Sequence, residues 1–184
     1  MAYIFILLLT LSTYTINDNP LTFDFGNSAE KTQDWVLLTD NVMGGLSKSE
    51  ISYNSNTLLL KGDISLENFG GFSSIRSKFS KIDLSSYTGV KIKFKSTNQR
   101  FALTLENSQN WTKPNYKNEF FAKKDGQWHI ATLYFKDFSE TLIGRPTGNK
   151  MQTETLKNIL RFGIITTMKQ EGPFALEVDY IDFF

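Results

Sequence analysis

The sequence predicts an all-β fold, a jelly-roll β-sandwich with at most one short helix. Short runs in which apolar and polar residues alternate recur along the chain, and turn-forming residues separate them at regular spacing. Hardly any segment shows helical periodicity. The 16 phenylalanines also favour pleated, half-buried surfaces over helices. Many short strands of this kind are typical of a sandwich.

The first half of the chain predicts a strand, a hairpin and a strand of mixed character. Residues 21–25 alternate, and the apolar run 34–39 is short. Residues 50–53 and 57–62 are rich in β-formers and flank an Asn-Ser-Asn turn, which predicts a hairpin. Residues 72–77 place both polar and apolar side chains on each face, so a strand here buries neither face cleanly.

The most regular alternation lies at residues 90–95, where valine, isoleucine and phenylalanine alternate with three lysines. Residues 101–106 repeat the pattern, and we predict that the two are neighbouring strands of one sheet. Residues 107–115 are polar and predict a long loop.

The next segments predict a second hairpin and an irregular connection. Runs 119–122 and 127–135 are β-rich, and Asp125-Gly126 between them is a hairpin signal. Residues 136–150 contain two glycines and a proline, which favours an irregular connection.

The end of the chain predicts one short helix and two closing strands. Residues 153–160 favour the helix, with Thr153 as its N-cap. Residues 162–167 and 175–183 favour strands, the second with carboxylates on its outer face.

A length of 184 residues suits one sandwich domain, which we place at residues 19–184. Residues 1–18 hold the apolar run 3–11, which has signal-peptide length and is shorter than the roughly 20 residues of a membrane-spanning helix. We therefore expect no transmembrane segment. One hypothesis is export to the periplasm or cell envelope. Because no basic residue precedes Lys31 and the cleavage site is poor, the other hypothesis is an uncleaved anchor or misassigned start, with the protein cytoplasmic or peripheral to the inner membrane.

Composition excludes several function classes. A formal net charge of +1 gives no broad field for nucleic acid. The absence of cysteine excludes disulfides, thiolate nucleophiles and cysteine metal sites. No phosphate-binding, dinucleotide, zinc-protease or serine-hydrolase motif occurs. The single histidine, His129, lies within a predicted strand and has no nameable catalytic partner. We predict that the protein is not an enzyme and carries no cofactor.

Two glycine pairs are the strongest motifs of the chain. The stretches DNVMGGLS at 40–47 and LENFGGFSSIRS at 66–77 each join a polar turn to two glycines and then to an alternating segment. A paired glycine indicates a backbone that needs positive φ or close chain approach. The pairs therefore predict a built feature of the fold.

With these two stretches the sequence resembles the complex I intermediate-associated protein family. The motifs GQW at 126–128, FKDF at 135–138, GR at 144–145 and GPFALEV at 172–178 follow in the order that the family shows. The resemblance runs from about Leu21 to the C-terminus. It implies a galactose-binding-type sandwich. It also implies a noncatalytic role in assembling a respiratory NADH dehydrogenase complex through contacts with its protein subunits. The alternative is an exported carbohydrate- or protein-binding module of the cell envelope.

The glycine motifs give the first set of candidate binding residues, and two interpretations of them stay open. In the first interpretation, Asp40 caps its turn and Arg76 pairs with a carboxylate, so the motifs only fix loop geometry. Tight turns are the commoner use of paired glycines. Alternatively, the glycines let a ligand or partner chain approach, and the two charged residues supply recognition. The candidates are Asp40, Asn41, Gly44, Gly45, Gly70, Gly71 and Arg76.

The fold suggests two further sites. Sugar-binding sandwiches stack sugar rings on exposed aromatic residues, and Trp111 and Tyr116 in or beside the polar loop are the candidates. A structural calcium ion would need several oxygens together, and Asp24, Asp179 and Asp182 lie on the predicted terminal strands. Alternating carboxylates on an outer sheet face explain the same residues without a metal, and we favour that explanation.

Overall fold

The computed structural model describes residues 21–25, 35–54, 56–97, 100–122 and 125–184. The predicted leader, residues 1–18, lies outside them. Thirteen strands form two antiparallel sheets in the described residues, and the predicted all-β sandwich is confirmed. The strands are β1 (Thr22–Asp24), β2 (Val36–Thr39), β3 (Lys48–Asn54), β4 (Thr57–Ile64), β5 (Ser73–Arg76), β6 (Gly89–Ser96), β7 (Phe101–Glu106), β8 (Asn115–Phe120), β9 (His129–Tyr134), β10 (Ser139–Leu142), β11 (Arg145–Lys150), β12 (Arg161–Thr166) and β13 (Gly172–Phe183).

The first sheet has the order β3-β4-β13-β6-β9, and β1 pairs with the end of β13 beyond β4. The second sheet has the order β11-β10-β8-β7-β12-β5-β2. The predicted hairpin of residues 50–62 is present as β3 and β4. None of the helices in the described segments is long and apolar enough to cross a membrane.

The core lies between the inner faces of the two sheets, and phenylalanine and leucine are the commonest residues of its described part. Phe162 on β12 contacts several other aromatic rings, and its ring lies 4.5 Å from that of Phe23 and 5.4 Å from that of Trp35. Phe183 on β13 approaches the same ring at 5.9 Å from the opposite sheet. Edge-to-face pairs of this kind add about 0.5–1.5 kcal/mol each beyond area burial. These ring contacts therefore help to hold the two sheets together.

Two predicted strand pairings are wrong, and both fail for the same reason. Residues 90–95 and 101–106 form β6 and β7, which belong to different sheets. Likewise, β8 and β9 do not form a hairpin through Asp125-Gly126, because the chain crosses from the second sheet to the first there. Alternation of apolar and polar residues shows which face of a strand is buried, but it does not show which sheet the strand joins. The local turn still forms, with Gly126 at φ +68°.

The segment 136–150 was predicted to be irregular, and this is also wrong. It contains the hairpin of β10 and β11, joined at Ile143 and Gly144, both with positive φ. Pro146 and Gly148 are tolerated because β11 is the outermost strand of its sheet, where a missing N–H interrupts no further ladder.

The predicted helix exists as a six-residue 3-10 helix, Thr153–Asn158. Its N-cap is Gln152, without a side-chain capping bond, so the prediction of Thr153 as the cap is wrong. Three shorter 3-10 turns lie at Asp40–Met43, Glu67–Phe69 and Phe135–Asp137. The first two of these contain the residues that precede the glycine pairs.

Candidate functional site

Asp40 joins the two glycine motifs into one structure. Its side chain is 1% exposed. The carboxylate accepts hydrogen bonds from the Ser47 backbone N–H at 3.0 Å and the Ser47 hydroxyl at 2.5 Å, both within the first motif. It also accepts bonds from the N–H groups of Gly71 at 2.6 Å and Phe72 at 3.2 Å, in the second motif. One buried carboxylate therefore satisfies donors from both loops.

The hydrogen bonds also hold Asp40 in its charged form. Burial by itself would raise the pKa of this carboxyl, but the bonds from Ser47, Gly71 and Phe72 together outweigh burial and hold the pKa below its ordinary value. The site therefore contains a fixed negative charge that is wholly engaged by protein donors.

Each glycine pair divides its work in the same way. Gly44 and Gly71 adopt positive φ, +87° and +119°, which is costly for other residues. A Cβ on Gly45 would lie 2.4 Å from Cγ of Asp40, and one on Gly70 would lie 2.6 Å from its Oδ2. One glycine of each pair turns the chain, and the other makes room for the carboxylate.

The two loops carry large apolar side chains in water. Phe69 is 100% exposed and Met43 is 70% exposed, and each stands immediately before a glycine pair. We call the set of exposed apolar residues on these loops the GG-loop surface. It comprises Val42, Met43, Leu46, Leu66 and Phe69.

The backbone beneath Phe69 is held in an uncommon conformation. Asn68 and Phe69 have φ of 54° and 60°, a region that non-glycine residues rarely occupy. The Asn68 amide donates to the carbonyl of Gly44 at 3.1 Å and so ties the second loop to the first. Strain of this kind costs about 1–3 kcal/mol and persists where the surrounding structure fixes it.

A groove of about 950 Å³ runs beside the GG-loop surface and shares Leu46 with it. Its lining contains three acidic residues, Asp63, Glu67 and Glu171, against the single basic residue Lys48. Glu171 accepts the Leu66 N–H at 3.1 Å and so helps to position the second loop. The groove therefore adds negative charge to an apolar surface.

Asn41 takes part in the loop itself. In the amide orientation that satisfies its surroundings, its side chain donates to the carbonyls of Gly45 at 2.6 Å and Ser47 at 3.2 Å. It accepts from the Thr39 hydroxyl at 3.2 Å in the same orientation. Its recognition role stays a prediction.

Arg76 lies away from the other motif residues. It ends β5 on the outer face of the second sheet, four residues and about 13 Å of strand from Phe72. Its guanidinium approaches Glu106 at 3.8 Å, so the carboxylate pairing considered from the sequence is present. Burial lowers the pKa of Arg76, while Glu106 acts in the opposite direction. Glu106 is held more closely by Arg161, at 2.5 Å.

The two predicted sugar-binding aromatics do not share one face. Trp111 lies on the β7–β8 loop and is 75% exposed. Tyr116 is buried, with its hydroxyl 3.4 Å from a carboxylate oxygen of Glu140. A flat platform made of both rings is therefore not present.

The other candidates from the sequence have protein partners. His129 lies 2.9 Å from Asp125 through its Nε2. Asp179 pairs with Lys93 at 2.6 Å, and Asp182 accepts from the Thr22 hydroxyl at 2.6 Å. Within the described ranges, no group of three or more acidic, histidine or cysteine residues is arranged to hold a metal ion.

Sequence reasoning missed the apolar residues of the GG-loop surface. Their signal was in the motifs themselves, because Met43 and Phe69 occupy the same position before each glycine pair. The glycines indicate the backbone geometry of the loops, and this geometry exposes the residues that precede them, Met43 and Phe69.

The two antiparallel sheets and their topology place the chain in the class of jelly-roll β-sandwiches. A family 11 carbohydrate-binding module of the cellulosomal cellulase Lic26A-Cel5E of Clostridium thermocellum has a similar fold, with a TM-score of 0.63 and 15% identity over 89% of this chain and 93% of that one. The module in complex with a mixed-linked tetrasaccharide gives a TM-score of 0.57 at 14% identity, covering 83% and 90%. An agarase matches with a TM-score of 0.56 and 11% identity, over 89% of this chain and 24% of the agarase chain. At these identities the likeness concerns the fold alone.

Residues 23–178 match the family described as Complex I intermediate-associated protein 30 (CIA30). The chain belongs to this family, and the resemblance carried by the glycine motifs is confirmed. No curated protein matches the chain.

Proposed function

We propose that this chain is a noncatalytic binding protein that contacts an intermediate of respiratory complex I, as its family's name indicates, through the GG-loop surface. The observation that carries the proposal is Phe69, whose side chain is wholly exposed on a strained backbone. Large aromatic residues of this kind are the usual anchors of protein interfaces.

The energetics favour a partner over solvent. Burying a phenylalanine side chain is worth about 1.5–3 kcal/mol, and the loop forgoes this while also holding a strained φ. Asp40 keeps the loops in place through four hydrogen bonds, so little ordering is left to be done on binding. A preorganised apolar anchor is what a docking surface requires.

The acidic groove narrows the partner's chemistry. Asp63 and Glu67 line it beside Leu46, and neither forms an ion pair with another described residue. A partner segment with an apolar side chain flanked by lysine or arginine would match both features. Association of this kind weakens as salt rises.

The test is co-purification of the tagged full chain with NADH dehydrogenase subunits from the native cell, identified by mass spectrometry. The double substitution Met43→Ala and Phe69→Ala is expected to reduce recovery of those subunits at least tenfold. The matched control is Phe121→Ala, since Phe121 is also largely exposed but lies after β8, outside both glycine motifs. Equal recovery with the double variant and the wild-type chain would refute the proposal.

A carbohydrate-binding function is the second candidate, and the exposure of Trp111 is the observation that favours it. A single exposed ring can stack one sugar. Retention of the chain in native gels that contain β-glucan is expected to fall with Trp111→Ala if this candidate holds. Unchanged mobility in every glycan tested would remove it.

Location would separate the two candidates. We propose residues 19–184 as the folded domain and residues 1–18 as a leader, and the mature N-terminus of the native protein tests this directly. Cleavage before Asn19 and recovery in the envelope would favour the carbohydrate candidate. An intact start in the cytoplasmic or inner-membrane fraction would favour the complex I partner.

A further inference from the structure

Strand β9 is the outermost strand of the first sheet and pairs on one side only, with β6. Its sequence, His-Ile-Ala-Thr-Leu-Tyr, contains no charged side chain of the acidic, lysine or arginine type, no proline and no glycine. The strand ladder with β6 runs through six consecutive pairs without a bulge. The other side of β9 is therefore a regular strand edge.

The backbone bonds of β6 show which groups of β9 point outward. Gly89 exchanges hydrogen bonds with Phe184 on the β13 side, at 3.2 and 3.1 Å. Its neighbour Val90 must then face β9, since successive residues of a strand point their backbone groups to opposite sides. Val90 pairs with Leu133. By the same alternation, the N–H and C=O groups of Ile130, Thr132 and Tyr134 point away from β6.

These outward groups have no backbone partner among the described residues. The side chains on the same residues are also open to water, with Ile130 59% exposed and Tyr134 46% exposed. A segment laid along β9 would thus find both a hydrogen-bonding edge and apolar side chains on one face.

The other four outer strands carry the devices by which proteins block edge pairing. β11 contains Pro146 and two basic residues, and β3 contains Lys48 and Glu50. β2 and β1 are short, with four and three residues. Only β9, of the five outer strands described, lacks all of these devices. An edge left open beside four blocked ones indicates an edge that is used.

We propose that β9 pairs antiparallel with β9 of a second copy of this chain, with Thr132 on the two-fold axis. In this register Thr132 lies opposite the partner's Thr132, and Ile130 lies opposite the partner's Tyr134. The three outward residues then exchange about six hydrogen bonds. The opposed isoleucine and tyrosine are an aromatic and β-branched pair, a favourable cross-strand combination.

Charge also suits a second copy as the occupant. The six residues of β9 bring no acidic, lysine or arginine side chain into the pairing, so two copies do not repel each other along the seam. The side chains that this register sets opposite each other, those of Ile130, Thr132 and Tyr134, are all uncharged. The edge is therefore compatible with a second copy of itself.

An interface of one strand on each side is small, and we expect a weak dimer with a dissociation constant in the range of about 1–50 µM. Sedimentation equilibrium of the full chain, at loading concentrations from about 1 to about 200 µM, tests this. The wild-type chain is expected to pass from monomer to dimer across this range. A chain that stays monomeric throughout, or one that forms larger open assemblies, overturns the proposal.

Charge substitution on the axis tests the register. Thr132→Lys and Thr132→Glu each set like charges against each other and are expected to be monomeric, while an equimolar mixture of the two should restore the dimer. Thr132→Val keeps the N–H group and the side-chain shape, so it is the matched control and should dimerise as the wild type does. If the mixture stays monomeric, or if either single charge leaves dimerisation unchanged, the proposed axis is wrong. Far-ultraviolet circular dichroism verifies that each variant is folded.

Discussion

Asp40 and Gly71, separated by 31 residues, are joined by a hydrogen bond of 2.6 Å between a carboxylate oxygen and a backbone N–H. The bond fixes the second glycine loop against the first. In this position the Asp40 carboxylate fills the space that a Cβ on Gly45 or Gly70 would need. The motif is thus explained by one buried charge and the backbone that encloses it.

Replacing this charge should destabilise the protein. Asp40→Asn presents an amide N–H₂ to donors that need an acceptor, and leaving buried N–H groups unsatisfied costs about 1–3 kcal/mol. We expect a loss of this size in the free energy of unfolding, measured by urea denaturation. Asp83→Asn is the matched control, because Asp83 accepts from the Ser85 N–H and hydroxyl at the surface. A loss for Asp83→Asn as large as that for Asp40→Asn would contradict the account.

The same bonds predict a dependence on acid. Because the pKa of Asp40 is lower in the folded than in the unfolded chain, its contribution to stability is present above the unfolded value of about 3.9 and disappears as pH falls through the folded value. The difference in unfolding free energy between wild type and Asp40→Asn should therefore shrink from pH 7 to pH 3. A difference that is constant over this interval would show that the carboxylate charge is not the source of the stability.

The two glycines of the first pair should respond differently to alanine. Gly45→Ala places a Cβ against the Asp40 carboxylate, whereas Gly44→Ala meets no atom within 4 Å and only suffers its positive φ. The second change should cost about 1–2 kcal/mol, and the first should cost more. Thermal unfolding of both variants checks the order. The reverse order would mean that turn geometry, and not space for Asp40, selects the pair.

The sequence was sufficient for the class of fold and insufficient for its pairings. Alternation in β6 and β7 correctly indicated strands with one buried face, but each buried face could meet either sheet. That choice depends on contacts between distant segments, such as the ring of Phe162 against that of Phe183, which no local pattern encodes. The hairpin of β10 and β11 was missed because Pro146 and Gly148 signal a loop unless the strand is known to be outermost.

For the site, the sequence indicated the loops and overlooked what they display. The glycine pairs and Asp40 were identifiable because each has a specific backbone or hydrogen-bonding chemistry. Phe69 resembles any core residue in sequence, and only its exposure and its φ distinguish it from the other phenylalanines. Trp111 and Tyr116 were both candidates because they lie in or beside the polar loop, but the pleat of β8 turns the tyrosine inward.

Phe69 itself offers a test that separates strain from function. Phe69→Gly replaces a residue at φ 60° with one that adopts this conformation freely, and it removes no buried contact because the side chain is fully exposed. We expect the free energy of unfolding to rise by about 0.5–1 kcal/mol in urea denaturation, since left-handed strain is relieved. Phe69→Ala keeps the strain and should change stability little. Both variants should lose the same binding to complex I subunits, because both lose the aromatic anchor. If Phe69→Gly is more stable than the wild type and has lost binding, the strained backbone is maintained for binding. A less stable Phe69→Gly would show instead that the Phe69 side chain supports the loop.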